Sequence, residues 1–132
     1  MAEKRPSIDE WLDEAKRSPE ASGCGMFLTH VGTVRETPKQ LVRGGVDDGT
    51  HVVGMHFSYD AEGVKAAVEA CRQMEGIAYV RVWLNSGDLV VGDDIMQVLV
   101  AGDIRPHVID ALQALVGTIK NSCVHEDERR ER

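Results

Sequence analysis

The sequence predicts a single α+β domain over residues 1–132, in which helices flank a mixed sheet, and three observations support this prediction. Segments with a two-residue apolar period alternate along the chain with segments that have the longer period of a helix. A chain of 132 residues is close to the length of one domain and can bury a hydrophobic core. An apolar fraction of 42% and a charged fraction of 28% are typical of globular proteins, which excludes collagen-like and disordered chains.

The first predicted elements are a short helix and a strand. Ser7 and Glu10 have the spacing of a capping box, in which the Ser7 hydroxyl accepts a hydrogen bond from the Glu10 amide. Residues 26–35 alternate between two faces and are rich in β-branched side chains, so they are predicted to form a strand. The apolar residues after the cap recur at helical spacing: Ile8, Trp11, Leu12 and Ala15.

Residues 36–50 are predicted to form a flexible loop. They contain Pro38, three glycines and several charged residues, with little periodicity. Connections of this length inside a domain are uncommon, and they are usually functional or disordered. We therefore expect this loop to be the most mobile internal segment of the chain, because it has little apolar surface to bury.

A strand, a helix and another strand are predicted after the loop. Residues 52–59 alternate in polarity, Asp60 can cap the next helix, and Gly76 suits a C-terminal stop before a strand at 78–84. This strand–helix–strand order predicts a right-handed crossover between parallel strands of one sheet. The nearly continuous apolar run at 95–101 predicts a central strand. The strands around the turn at Asn85-Ser86-Gly87 imply an antiparallel pair, and the sheet is therefore expected to be mixed.

The last predicted elements are a helix and a charged C-terminal segment. Pro106 suits the first turn of a helix, and apolar residues continue at helical spacing as far as Lys120. Residues 126–132 are all charged, with four acids and three arginines. A segment of this composition is predicted to be a solvated or frayed tail.

Composition and simple motifs exclude several functional classes. The net charge of −7 argues against non-specific nucleic-acid binding, which needs a basic surface. The three cysteines include no Cys-x-x-Cys pair and the first residues do not form an apolar signal core, so the sequence predicts a cytoplasmic protein with reduced thiols. The glycine-rich nucleotide-binding motifs are absent. Cys123 and His125 could ligate a metal, but no second ligand pair accompanies them, so a metal site is not favoured.

Three basic residues at the ends of predicted elements are candidates for anion binding. Lys120 ends the last helix, Arg35 ends the first strand and Arg105 opens the last helix. Each also has an ordinary interpretation: a cation favoured at the negative end of a helix for Lys120, and a solvated surface arginine for the other two. If the three ends converge, they form a site for carboxylate or phosphate groups, in which Lys120 can also serve in acid–base chemistry.

The order and spacing of several motifs resemble the large subunit of molybdopterin synthase, the MoaE family. The resemblance extends over residues 23–127, and it depends on the arrangement of the motifs, since each alone is modest. The matching parts are the end of the first strand, a segment like the family's Gly-Glu-Leu-x-x-Gly-Asp, and the two ends of the last helix: Gly32-Thr33-Val34-Arg35, Gly87 to Ile95, Arg105 and Ile119-Lys120-Asn121.

This resemblance implies an α/β-hammerhead-like domain that dimerises and binds a small MoaD-like sulfur carrier, which gives a heterotetramer. The implied reaction transfers sulfur from the thiocarboxylated carrier to cyclic pyranopterin monophosphate (precursor Z), and it makes molybdopterin without a metal or another cofactor. The family's positions imply that Lys120 is catalytic and that Arg35 and Arg105 bind the substrate.

The sequence departs from the family pattern near its C-terminus, where Asp127 occupies the place of a second family lysine. An acid at that place would repel an anionic substrate, so retention of sulfur transfer is open and two further interpretations stand. One is a non-catalytic MoaE-like dimer that binds a pterin or the tail of a ubiquitin-like carrier. The other is a generic α+β binding domain unrelated to molybdenum.

Overall fold

The computed structural model describes residues 3–132, apart from the side chain of Gln40. None of the helices in this part of the chain is both long and apolar enough to cross a membrane. A 3₁₀ turn precedes the first strand and a π-helical turn follows the last helix, at Pro19–Gly23 and Ile119–Cys123. The main elements are α1 (Ile8–Lys16), β1 (Met26–Thr33), α2 (Lys39–Val42), β2 (His51–Tyr59), α3 (Ala61–Arg72), β3 (Ile77–Leu84), β4 (Gly87–Val90), β5 (Asp94–Gly102), α4 (Arg105–Thr118) and β6 (Val124–Glu131).

The predicted N-terminal helix caps at Ser7 and Asp60 are confirmed. The Ser7 hydroxyl accepts from the Glu10 amide at 3.2 Å, and the Asp60 carboxylate accepts from the Glu62 amide at 3.2 Å. Short-range hydrogen bonds therefore set these N-terminal boundaries, which explains why local sequence patterns located them. The C-terminal stop predicted at Gly76 is wrong, because α3 ends at Arg72 with Gln73 as its C-cap; Gly76, with a φ of +78°, lies in the turn before β3.

The strands form two antiparallel sheets of three strands each, in the orders β1-β5-β3 and β4-β2-β6. The α+β class with flanking helices is confirmed, but the single mixed sheet is wrong, because β2 and β3 lie in different sheets and are not joined by a parallel crossover. The cause is β4, a strand of four residues that is too short to show a period in the sequence. It pairs with β2, and the chain then returns as β5 to pair with β3.

Strand β5 is the centre of the first sheet, as its apolar run predicted, and both of its faces are buried. On one face Val98 and Val100 pack with the main core, which includes residues of α3 and α4. On the other face Leu99 packs with Trp11 and Ala15 of α1. Burial on both sides removes the polar–apolar alternation of an ordinary strand, and this explains the continuous apolar run.

The charged C-terminal segment is a strand over 124–131, so the prediction of a frayed tail is wrong there. β6 pairs with β2 along its whole length, from Val124 opposite Tyr59 to Glu131 opposite His51. Its side chains alternate: Glu126 and Glu128 are each 6% exposed, while Asp127 between them is exposed. A charge run usually marks a solvated segment, but here the inward carboxylates are paired with basic groups.

The predicted loop at 36–50 contains the short helix α2 and two turns closed by aspartate side chains. The Asp47 carboxylate accepts from the Gly49 amide at 2.9 Å, and the Asp48 carboxylate accepts from the Thr50 amide at 3.0 Å. A backbone hydrogen bond of 2.7 Å from Val52 to Glu36 joins the two ends of the segment. The segment is mostly exposed, and its mobility stays a prediction.

Candidate functional site

A cationic pocket lies where the end of β1, the helix α2, the π-helical turn and the inner face of β6 meet. Four basic side chains and two carboxylates line it, so basic groups exceed acidic ones by two in a protein whose net charge is −7. This local excess makes the pocket a candidate site for an anion. The lining residues are Thr33, Arg35, Lys39, Arg43, Met55, Ile95, Lys120, Glu126 and Glu128.

Two of the predicted site residues, Arg35 and Lys120, reach this pocket, and each follows a buried apolar residue. Val34 is 2% exposed and fixes the backbone at the end of β1, and Arg35 comes next and donates through Nε to the Thr37 carbonyl at 3.2 Å. Ile119 is fully buried at the start of the π-helical turn, and Lys120 follows it. The core therefore holds the backbone beside both cations.

Glu126 is the central carboxylate of the pocket. Its Oε2 accepts from Lys120 Nζ at 2.7 Å, and its Oε1 lies 3.4 Å from Lys39 Nζ. Burial by itself raises the pKa of Glu126, but the hydrogen bond and charge of Lys120, together with those of Lys39, outweigh burial and lower it. Glu126 is therefore ionised at neutral pH and bridges two ammonium groups.

Glu128 is the second carboxylate of β6 that lines the pocket, and it binds the beginning of α2. Its Oε2 accepts from the Lys39 backbone amide at 3.2 Å, and its Oε1 accepts from Arg130 Nη2 at 2.7 Å. Lys39 is thus held to β6 through both its backbone and its side chain, since its Nζ also donates to the Glu126 carbonyl at 3.3 Å. These contacts attach the beginning of α2 to the second sheet.

A neighbouring cavity shares Arg35 and Lys120 with the cationic pocket and has a more apolar wall. Met96 and Val116 contribute to that wall, and His30 lies on it. The structure places the half-buried ring of His30 beside Lys120. Burial and the charge of Lys120 lower the pKa of His30, so the imidazole is neutral at neutral pH.

Arg105 does not line either cavity within one chain. It opens α4, whereas Lys120 follows the end of that helix, so their backbones are about 22 Å apart at 1.5 Å per helical residue. Arg105 is exposed beside an ion pair in which His107 Nδ1 and Asp103 Oδ1 are 2.8 Å apart. The structure therefore brings together two of the three predicted site residues in a single chain.

Asp127 points away from the cationic pocket. It lies between Glu126 and Glu128 on β6, and adjacent residues of a strand face opposite sides of the sheet. Its cross-strand partner is His56, which is exposed on the outer face and pairs with Asp88 at 3.0 Å. The repulsion that the sequence predicted at Asp127 is therefore not directed into this pocket.

Several residues of the pocket were missed by the sequence analysis: Lys39, Arg43, Glu126 and Glu128. The first two lie in the segment interpreted as a loop, and nothing local indicates where they point. The two glutamates carried no local signal either, because residues 126–132 are all charged and show no alternation of polar and apolar side chains. Among residues 3–132 there is no group of three or more metal-ligating side chains, and Cys123 is buried while His125 is exposed.

Several solved structures of molybdopterin biosynthesis proteins have a similar fold. The molybdopterin synthase of Staphylococcus aureus aligns with a TM-score of 0.72 at 16% identity, covering 97% of this chain and 88% of that one. A molybdopterin biosynthesis MoaE protein from Burkholderia ambifaria aligns with a TM-score of 0.68 at 16% identity, covering 97% and 83%. A complex of subunits 1 and 2 of the molybdopterin-converting factor from Helicobacter pylori gives 0.64 at 15% identity, covering 97% and 84%.

The chain thus shares the fold of these structures. A family model described as MoaE protein matches residues 1–122, and the chain belongs to the MoaE family. None of the curated proteins matches the sequence. The family match ends before Glu126, so the β6 side of the cationic pocket lies outside it.

Proposed function

We propose that this chain is the large subunit of a molybdopterin synthase. Its membership of the MoaE family supports a role in molybdopterin biosynthesis. The observation that carries the finer proposal is the cationic pocket, in which Arg35 and Lys120 lie together beside an apolar-walled cavity. The reaction is sulfur transfer from the thiocarboxylated C-terminus of a MoaD-like carrier to cyclic pyranopterin monophosphate, in the cytoplasm.

The charges of the pocket suit the two anionic groups of this reaction. The Lys120 ammonium can bind the thiocarboxylate and stabilise the negative charge that develops on its carbonyl oxygen. The Arg35 guanidinium can hold the substrate phosphate through paired N–H donors. The cavity wall of Met96 and Val116 offers apolar contact for a flat ring, beside the neutral His30. Each residue here binds or orients, and none requires a metal.

We further propose that the chain works as a homodimer, with Arg105 of the partner subunit completing the site, and as a heterotetramer with two carriers. The length of α4, which separates Arg105 from Lys120, supports this, because the Arg105 side chain cannot reach the cationic pocket of its own chain. The Helicobacter pylori structure is a complex of two subunits of the converting factor, and this supports a small-subunit partner.

If Arg105 of the partner subunit completes the site, two variants that are each inactive alone should complement one another in a mixed dimer. Lys120→Ala and Arg105→Ala homodimers should both be inactive, but a mixture exchanged to equilibrium should recover about a quarter of wild-type activity. The reason is that half of the dimers are mixed, and each mixed twofold dimer has one site free of both substitutions. The measurement is molybdopterin formation after unfolding and refolding of the mixture together.

Arg35→Ala mixed with Lys120→Ala is the matched control. Both residues lie in the same pocket of one chain, so every site of the mixed dimer carries a substitution and no activity should return. Recovery in both mixtures, or in neither, would contradict the assignment of Arg105 to the partner's site.

The decisive test of the proposed function is reconstitution. The protein is mixed with a thiocarboxylated carrier and precursor Z, and molybdopterin is measured as its fluorescent oxidation product. We expect product that depends on all three components. Absence of both product and carrier binding would overturn the proposal, and carrier binding without product would select the non-catalytic dimer instead.

A further inference from the structure

Lys39 approaches the catalytic candidate Lys120 from a part of the chain distant in sequence. The two Nζ atoms lie on the two oxygens of one carboxylate, at 3.4 Å and 2.7 Å from Glu126. The ammonium groups are therefore neighbours, separated only by the width of that carboxylate. Lys39 is the first residue of α2, in the segment that follows β1.

The exposures of these three side chains show which of them face the pocket opening. The Glu126 side chain is 6% exposed, whereas those of Lys39 and Lys120 are 28% and 30% exposed. The carboxylate is thus buried beneath two partly open ammonium groups. An anion entering the pocket meets the two cations first, and Arg35 and Arg43 line the same space.

We propose that Lys39 is a second anion-binding lysine of this site and that Glu126 is the positioning residue that holds it beside Lys120. This deepens the proposed function and rests on it for the identity of the anion, which is the phosphate group of the substrate. Several cations bind a phosphate dianion more strongly than one, and Lys39 lines the same pocket as Arg35 and Arg43. An ammonium group that Glu126 already holds in place loses less side-chain entropy on binding than a free lysine. The charge of Glu126 repels the anion, which directs it towards the arginines.

A purely structural ion pair is the competing explanation, in which Lys39 only attaches α2 to β6. The two explanations predict different affinities for inorganic phosphate, which are measured by a titration monitored through NMR chemical shifts. Lys39→Ala should raise the dissociation constant about tenfold, as expected for loss of one charge-assisted contact. Unchanged phosphate binding by Lys39→Ala, with binding weakened by Arg35→Ala, would overturn the proposal.

Three control variants show whether loss of the charge at this position, and not another effect of the substitution, weakens phosphate binding. Lys65→Ala removes the same charge from an exposed position on α3 and should bind phosphate as the wild type does. Lys39→Met keeps the aliphatic stem and should lose binding to the same extent as Lys39→Ala, whereas Lys39→Arg should bind within about threefold of wild type. Failure of the arginine variant while the melting temperature is unchanged would contradict a charge-based role.

The positioning role of Glu126 is tested by combining substitutions. In a Glu126→Gln background the ammonium group of Lys39 is no longer held by charge, so Lys39→Ala should weaken phosphate binding by less than about threefold. An undiminished tenfold loss in that background would overturn the positioning role. Phosphate binding needs neither carrier nor pterin, so these outcomes do not depend on whether the wild type transfers sulfur.

Discussion

Lys120→Ala is expected to reduce molybdopterin formation about a hundredfold or more while the protein stays folded. Removal of one group that stabilises a developing oxyanion typically costs this much in rate. The fold should tolerate the change because the Lys120 side chain is 30% exposed and Glu126 keeps its contact with Lys39. The rate is measured in the reconstituted assay, and the fold is checked by circular dichroism and the melting temperature.

Lys65→Ala serves as the charge-matched control for this prediction as well, and it should transfer sulfur at the wild-type rate. A rate for Lys120→Ala within threefold of wild type would contradict the role of Lys120. Unfolding of the variant would contradict the expectation that the fold tolerates the change. Lys120→Arg distinguishes a general need for charge from a specific need for an ammonium group, since the guanidinium is larger and planar.

A chain that stops after Cys123 is expected not to fold. It lacks β6, and therefore the whole pairing of β2 with that strand and both carboxylates of the pocket. A domain is stable by only about 5–15 kcal/mol, and uncovering the side of a three-stranded sheet removes a large part of this. The measurement is thermal unfolding followed by circular dichroism, together with one-dimensional NMR.

Deletion of Arg132 alone is the control for the truncation, because that residue follows the end of β6. It should melt within a degree or two of the full chain. A cooperative transition near the wild-type temperature in the chain ending at Cys123 would show that β6 contributes little, and it would support the solvated tail that composition predicted.

The local elements of the fold were predictable because local interactions determine them. The caps at Ser7 and Asp60 are hydrogen bonds across two or three residues, and a helical period shows which face of α4 is buried. The central strand β5 was predictable because burial on both faces leaves a continuous apolar run. Each of these signals lies within a short window of sequence.

The division of the strands into two sheets was not predictable in this way. It depends on β4, whose four residues pair with β2 about thirty positions earlier, and on β6, which pairs with the other edge of β2. Pairing of strands distant in sequence leaves no local period, and the charge of residues 126–132 suggested solvation. Paired carboxylates such as Glu126 are buried only because basic groups from other elements reach them.

The same distinction holds for the candidate site. The sequence by itself determined that Arg35 and Lys120 stand at element ends, where side chains are free to bind an anion, and its motifs predicted the family. Only the tertiary structure decided that these two share a pocket which Arg105 of the same chain does not line, and that Lys39 joins Lys120 on Glu126 while Asp127 faces away. The physical reason is that a site of this kind is made from charges far apart in sequence, whose neighbours are set by the packing of the sheets and helices.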